Sequence, residues 1–158
     1  MNRNDKDFLT EAIRLGKEGV KTNTGGPFGA VIVKNGEIVG RGCNSVSSNN
    51  DPTAHAEIVA IRDACKNLSD FQLTDCVIYS SCEPCPMCLG AIYWARPLRL
   101  VFSSTRQEAA NIGFDDNHIY QEVVLPISDR SIPTKKQFHP DAVKLFQLWK
   151  EKIDKTDY

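Results

Sequence analysis

No stretch of this chain is apolar for long enough to cross a bilayer, and nothing near its start forms the hydrophobic heart of a secretory signal. Met1-Asn2-Arg3-Asn4-Asp5-Lys6-Asp7 is polar and leads directly into an amphipathic pattern. Nor is there an excess of either charge. With 19 basic and 20 acidic side chains, the chain has no general attraction for a phosphate backbone or an anionic membrane surface. Internal repeats, low-complexity tracts and composition breaks that would mark a linker are also missing. What remains is 158 residues of ordinary globular composition, enough for one domain with a core of its own. Without an export signal the expected location is cytoplasmic. The 6 cysteines are therefore read as packing, metal or catalytic residues rather than as a disulfide framework.

The apolar rhythm orders the elements. Phe8, Leu9, Ala12, Ile13, Leu15 and Val20 recur at helical spacing between Asp5 and Lys21, and Gly25-Gly26-Pro27 in the loop that follows favours a turn over more helix. Phe28–Val33 and Glu37–Gly42 flank Asn35-Gly36, the pairing expected of an antiparallel hairpin. After a polar loop from Cys43 to Asn50, Asp51-Pro52 predicts a helix start, with the helix running from Thr53 to Asn67. Cys76–Ser80 is a buried central strand, Cys85–Arg96 a helix stopped by Pro97, and Leu98–Ser103 a strand parallel to the first of these. Thr105–Ala110 is weakly helical, Glu122–Leu125 reads as a short strand, and Asp141–Trp149 as a last amphipathic helix. This alternation predicts a three-layer α/β/α sandwich. Cys43, Cys65 and Cys76 are expected to be packing residues, as are the helix aromatics Tyr93 and Trp94.

Ser81-Cys82-Glu83-Pro84-Cys85-Pro86-Met87-Cys88 carries the chemistry. Cys-x-x-Cys puts two sulfurs on one turn where both can reach a single ion, and zinc prefers thiolate and imidazole ligands. Cys85 and Cys88 are the first two candidate ligands. A helix entry at Pro84 offers free amides that favour the thiolate form. His55 in Thr53-Ala54-His55-Ala56-Glu57 is the natural third ligand. His55 and Glu57 lie about 200° apart around a helix, so they cannot share a lateral face but can converge beyond a helix N-terminus. Two readings stand at this point. Cys82 could close a structural Cys₃His site, or a water could hold the fourth position with Glu57 as the catalytic carboxylate.

The segments His55-Ala56-Glu57 and Pro84-Cys85-Pro86-Met87-Cys88 resemble the signature of the zinc-dependent cytidine/deoxycytidylate deaminase-like family. Over nearly the whole chain, Gly25–Ala30, Asn44, Asp51–Glu57, Ser81–Arg96 and Gly113-Phe114-Asp115-Asp116 are similar to its bacterial guanine deaminase branch. The resemblance implies a mixed five-stranded sheet between helices and one Zn²⁺ per subunit on His55, Cys85 and Cys88, with water as fourth ligand. It also implies Glu57 as the proton carrier and hydrolytic removal of an exocyclic amine. For the base, it implies guanine converted to xanthine and ammonia. Phe28 would pack on the purine, Asn44 would hydrogen-bond it, Asp116 (with Asp115 its neighbour) would meet a ring N–H, and Tyr158 would close the pocket. A homodimer is implied too, with the segment from about 139 to 158 exchanged between subunits. Guanosine, cytosine, a triazine or a transfer-RNA adenosine are the alternative substrates, and a non-catalytic zinc domain is the alternative of another class. The balanced charge, with Lys144, Lys150, Lys152 and Lys155 interleaved among acids, argues against a nucleic-acid groove.

Overall fold

The first amphipathic stretch folds as α1, Asp5–Lys21, the span its rhythm predicts. Asn4 caps it: its side chain accepts the Lys6 and Asp7 amides, and the Asp7 carboxylate takes the Asn4 N–H in return. A computed structural model describes residues 4–157, and the chain divides into two compact units, Met1–Asp116 and Asn117–Tyr158.

In the first unit, β1 (Gly29–Lys34) and β2 (Glu37–Cys43) pair antiparallel. Asn35 and Gly36 join them with φ of 51° and 82°, the positive values that a two-residue hairpin of this twist requires. A short α2 (Val46–Asn49) interrupts the predicted polar loop, and α3 covers Ala56–Leu68. β3 (Cys76–Cys82) runs antiparallel to β1, α4 covers Pro86–Ala95, and β4 (Arg99–Ser104) lies parallel to β3. Among the described residues the sheet has four strands in the order β2-β1-β3-β4, mixed as expected but one short of the five implied. α5 (Arg106–Ala110) follows, with Thr105 and Glu108 forming its capping box.

Strand phase separates two apolar layers. Val31, Val33 and Tyr79 pack with Phe8 of α1 on one face. Ala30, Ile32, Cys76 and Ile78 pack with Ala56, Ala60 and Ala64 of α3 and Ile92 and Ala95 of α4 on the other. A helix surface of alanines lets α3 lie close on β2. Added Cβ atoms at Gly40 and Gly42 would sit 2.5 Å from the Ala60 carbonyl and 2.1 Å from the Ala56 carbonyl. Across the other layer, the Asp5 carboxylate accepts two N–H bonds from Arg99 at 2.9 and 2.7 Å and the Tyr79 hydroxyl at 2.7 Å. These bonds tie the start of α1 to β3 and β4, and the Arg99 hydrogen bonds in particular hold the Asp5 carboxyl at about 2.

Several boundaries differ from expectation for identifiable reasons. α3 begins at Ala56 because Asp51 spends its side chain on a turn: its Oδ1 accepts the Thr53 amide at 2.8 Å and hydroxyl at 2.7 Å. α4 is apolar on all sides, so it cannot bury every large residue, and Tyr93 and Trp94 are 75% and 65% exposed rather than buried.

The second unit contains α6 (Asn117–Val124), a 3₁₀ turn at Ile127–Asp129 and α7 (Pro140–Glu151). The strand expected at Glu122–Leu125 lies mostly within α6; Ile119 and Val123 stand one helical turn apart there. The Glu122 carboxylate accepts the Ser131 amide at 2.8 Å, and Arg130 Nε donates to the Leu125 carbonyl. None of the described residues of this unit is buried, and Val143, Leu145, Phe146 and Leu148 of α7 all stand exposed.

Candidate active site

Two helix N-termini present the metal-binding residues. His55 is the N-cap residue of α3 in extended conformation, and its carbonyl accepts the Val59 amide at 3.0 Å. The bond from the Ser45 amide to the Ala54 carbonyl at 2.9 Å, together with the Asp51 turn, fixes the backbone that leads into it. Cys85 is the N-cap residue of α4, with Pro86 in the first helical turn, and its Sγ accepts the Cys88 amide at 3.5 Å. Convergence beyond the helix ends, which the two-residue spacing of His55 and Glu57 demanded, is what the fold provides.

Both sulfurs, of Cys85 and Cys88, lie 3.5 Å from His55 Nδ1. Ordinary Zn–S and Zn–N bonds at a tetrahedral angle would separate a sulfur from a nitrogen by about 3.6 Å. The three donor atoms therefore fit one zinc ion, and they form the one such cluster among the described residues. Cys82 is not part of it. Its thiol is buried and donates to the Thr105 carbonyl at 3.6 Å, and burial pushes it up to about 11. The closed Cys₃His arrangement is not what this fold builds.

The electrostatics suit a cation. The Cys85 thiol is lowered to about 4, first by the Cys88 thiol that donates to it and then by His55, against the opposing effect of burial. Cys88 is pushed up because its own S–H donates to the Cys85 sulfur, and its burial adds to this. The imidazole of His55 is raised, chiefly by its hydrogen bond with Cys85. Glu57, in the first turn of α3, is only 6% exposed. Burial pushes its carboxyl up, while its own backbone amide and the Ser80 hydroxyl, 2.9 Å from Oε1, pull it down.

A second group of residues comes from the loops of the first unit. Asn44 is buried, and its Oδ1 accepts the Gly26 amide at 3.1 Å and the Val46 amide at 3.4 Å. With the oxygen so engaged, the side-chain NH₂ is the end left to meet a ligand. Gly25 is required beside it, because a Cβ there would lie 2.3 Å from the Asn44 carbonyl. Phe28 is half-buried and meets Phe114 edge to face, with ring centroids 4.9 Å apart. Asp116 is half-buried and its carboxyl is raised, first by burial and next by the Cys85 charge, whereas Asp115 is exposed. Tyr158 lies outside the described residues. Two contacts are new relative to the sequence reading. Ser80 reaches Glu57 only because period-two strand phase turns it toward α3, and Phe114 meets Phe28 because a loop brings it there. The aromatic beside an acid pair was the one sequence cue for the latter.

One imidazole, two thiols and a buried carboxylate gathered at two helix N-termini, on an α/β sandwich, define a mononuclear zinc site of the hydrolytic type. Residues 2–104 match the family described as the cytidine and deoxycytidylate deaminase zinc-binding region, and the chain belongs to that family. Its zinc ligands are His55, Cys85 and Cys88. The chain is 50% identical over 155 residues to guanine deaminase of Bacillus subtilis, covering 98% of this chain and 99% of that protein. A solved structure of that enzyme superposes with a TM-score of 0.97, covering 99% of both chains. A tRNA-specific adenosine deaminase of Buchnera aphidicola is 41% identical over 121 residues, covering 76% of this chain and 74% of that protein.

Proposed function

We propose that this protein is a guanine deaminase, which hydrolyses guanine to xanthine and ammonia. The end-to-end likeness to the Bacillus subtilis enzyme carries the reading. The donor set supports it, since a zinc ion on His55, Cys85 and Cys88 supplies a Lewis acid that makes water a nucleophile at neutral pH. Glu57 does the proton work. It takes one proton from the attacking water and delivers it to a ring nitrogen, then takes the proton left on the added hydroxyl and passes it to the amine, so that ammonia departs as the C–N bond breaks and the carbonyl forms. Its burial raises its proton affinity, which brings it closer to the range a general base needs. The amine-bearing carbon of guanine is C2, part of an amidine like C4 of cytosine, so the family chemistry transfers without a new group.

Phe28 supplies the face on which the purine packs, with Phe114 against its edge. The NH₂ of Asn44 donates to a purine acceptor, and the Asp116 carboxylate accepts the N1–H that a 4-aminopyrimidine lacks. Tyr158 closes the pocket as the tail of the partner subunit exchanges places over residues 139–158. The unburied apolar face of α7 supports such a homodimer, because an amphipathic helix of this kind needs a cover. The location is cytoplasmic, and the near-neutral charge is that of an enzyme for a small base rather than for nucleic acid.

The test is ammonia release from guanine, guanosine, cytosine, cytidine, adenine and adenosine by the zinc-loaded protein, alongside Glu57→Gln. Guanine should be turned over fastest. The variant should keep its zinc and lose about 10²–10⁴ in kcat. Faster turnover of guanosine, adenosine or a cytosine compound would replace the substrate, and no turnover of any would return the protein to a structural zinc domain.

A further inference from the structure

The reacting carboxylate has an anchor outside the metal site. Glu57 ends a side chain with three torsions, in a position where its two oxygens have to play different parts. Ser80, at 1% exposure on the central strand β3, places its Oγ 2.9 Å from Oε1. The same Oγ lies 3.5 Å from the Cys82 amide, which uses one lone pair and leaves the single hydroxyl hydrogen for Glu57. β3 is paired on both sides, by β1 and β4, so this donor stands in the best-braced part of the sheet. The next residue points to the other layer, where Ser81 Oγ accepts the Gly29 amide at 3.0 Å. Strand phase therefore assigns the task to Ser80 and not to its neighbour.

We propose that Ser80 is a positioning residue for the proton transfers of Glu57. Its hydroxyl holds Oε1 and fixes the plane of the carboxylate, so that Oε2 is the oxygen presented to water and to the leaving amine. The role rests on the deaminase reading above. It differs from simple satisfaction of a buried acid, because it predicts a loss in the chemical step alone. A misdirected Glu57 leaves the purine pocket of Phe28, Asn44 and Asp116 intact, so ground-state binding stays while turnover falls.

The experiment compares Ser80→Ala and the equally shaped pair Ser80→Thr and Ser80→Val in the zinc-loaded protein. Zinc content, Tm, xanthine affinity by calorimetry, and kcat per bound zinc and KM with guanine are read for each. Ser80→Ala and Ser80→Val should lose about 10- to 100-fold in kcat per zinc, the scale of a misaligned catalytic group. KM and xanthine affinity should stay within about twofold. Ser80→Thr, which keeps the hydroxyl, should recover most of kcat. If Ser80→Ala does not fold, the Thr and Val variants decide, since they differ only in that hydroxyl. Equal kcat per zinc in Thr and Val, or a loss accounted for by lower zinc content or Tm, overturns the positioning role while leaving the deaminase reading standing. A wild-type protein that releases no ammonia from guanine overturns that reading and this role together.

Discussion

Adding one methyl group at Gly42 should damage catalysis from the back of the site. Gly42 lies on β2 under the first turn of α3, and a Cβ there would stand 2.1 Å from the Ala56 carbonyl, 2.6 Å from the Ala60 amide and 3.1 Å from Val59 Cβ. Ordinary contact begins at 3.4 Å, so the Ala56 carbonyl has to retreat by 1.3 Å. Ala56 directly follows His55 and precedes Glu57, and both would move with it. Overpacking of this kind costs about 1–3 kcal/mol of stability, and a displacement of about 1 Å at a reacting group is enough to lose about 10²-fold in rate. Gly42→Ala should therefore lower Tm, weaken zinc retention during dialysis against a chelator, and lower kcat/KM for guanine by about 10²-fold. Gly40→Ala is the control. Its Cβ meets the Ala60 carbonyl at 2.5 Å and Ala64 Cβ at 2.7 Å, farther along the helix from the metal ligands. It should destabilise the fold while costing much less activity. If the two variants lost kcat/KM equally, or if Gly42→Ala kept wild-type kcat/KM and zinc, the placement of α3 on β2 would not be what sets the position of His55 and Glu57.

Cys82→Ser should keep one zinc per chain through dialysis, because the Cys82 thiol serves the Thr105 carbonyl rather than the metal; metal analysis showing loss of zinc would refute the three-ligand site. Asp116→Asn should lower kcat/KM for guanine by about 10- to 100-fold through loss of a charged acceptor, while Asp115→Asn leaves it near wild type; steady-state kinetics decides between the two acids. Asp5→Asn should lower Tm at neutral pH. The Asp5 carboxyl sits at about 2 in the folded protein against an ordinary 3.8, so its stabilisation is complete above the ordinary value and fades as the pH falls toward 2. Melting curves across that range should show the gap to wild type closing, and a gap that widened in acid would reverse the assignment.

What could be read from the sequence was whatever depends on residue type at fixed spacing. Asn35-Gly36 permits few backbones, so the hairpin was legible. The zinc ligands were legible because Cys85 and Cys88 fall on one turn and His55 is one of only 3 histidines in the chain. Contacts that depend on three-dimensional phase were not. Ser80 and Ser81 look alike as letters, and only the pairing of β3 turns one toward Glu57 and the other toward Gly29. Glu122–Leu125 contains Val123 and Val124, β-branched residues that suit a strand, yet most of the segment is helical in α6. Tyr93 and Trp94 were misjudged because α4 lacks a polar face from which to read which side is buried.

The two facing helix caps also make the metal a cross-link. His55 and Cys85 are 30 residues apart, and bridging them closes a loop that spans α3 and β3. By the loop-entropy relation used for covalent links, closure over such a span is worth about 3–4 kcal/mol against the unfolded chain. Zinc therefore acts as a removable staple as well as a reagent. Protein made in a cell short of zinc would fall behind in abundance, through unfolding and proteolysis, as well as in activity per molecule.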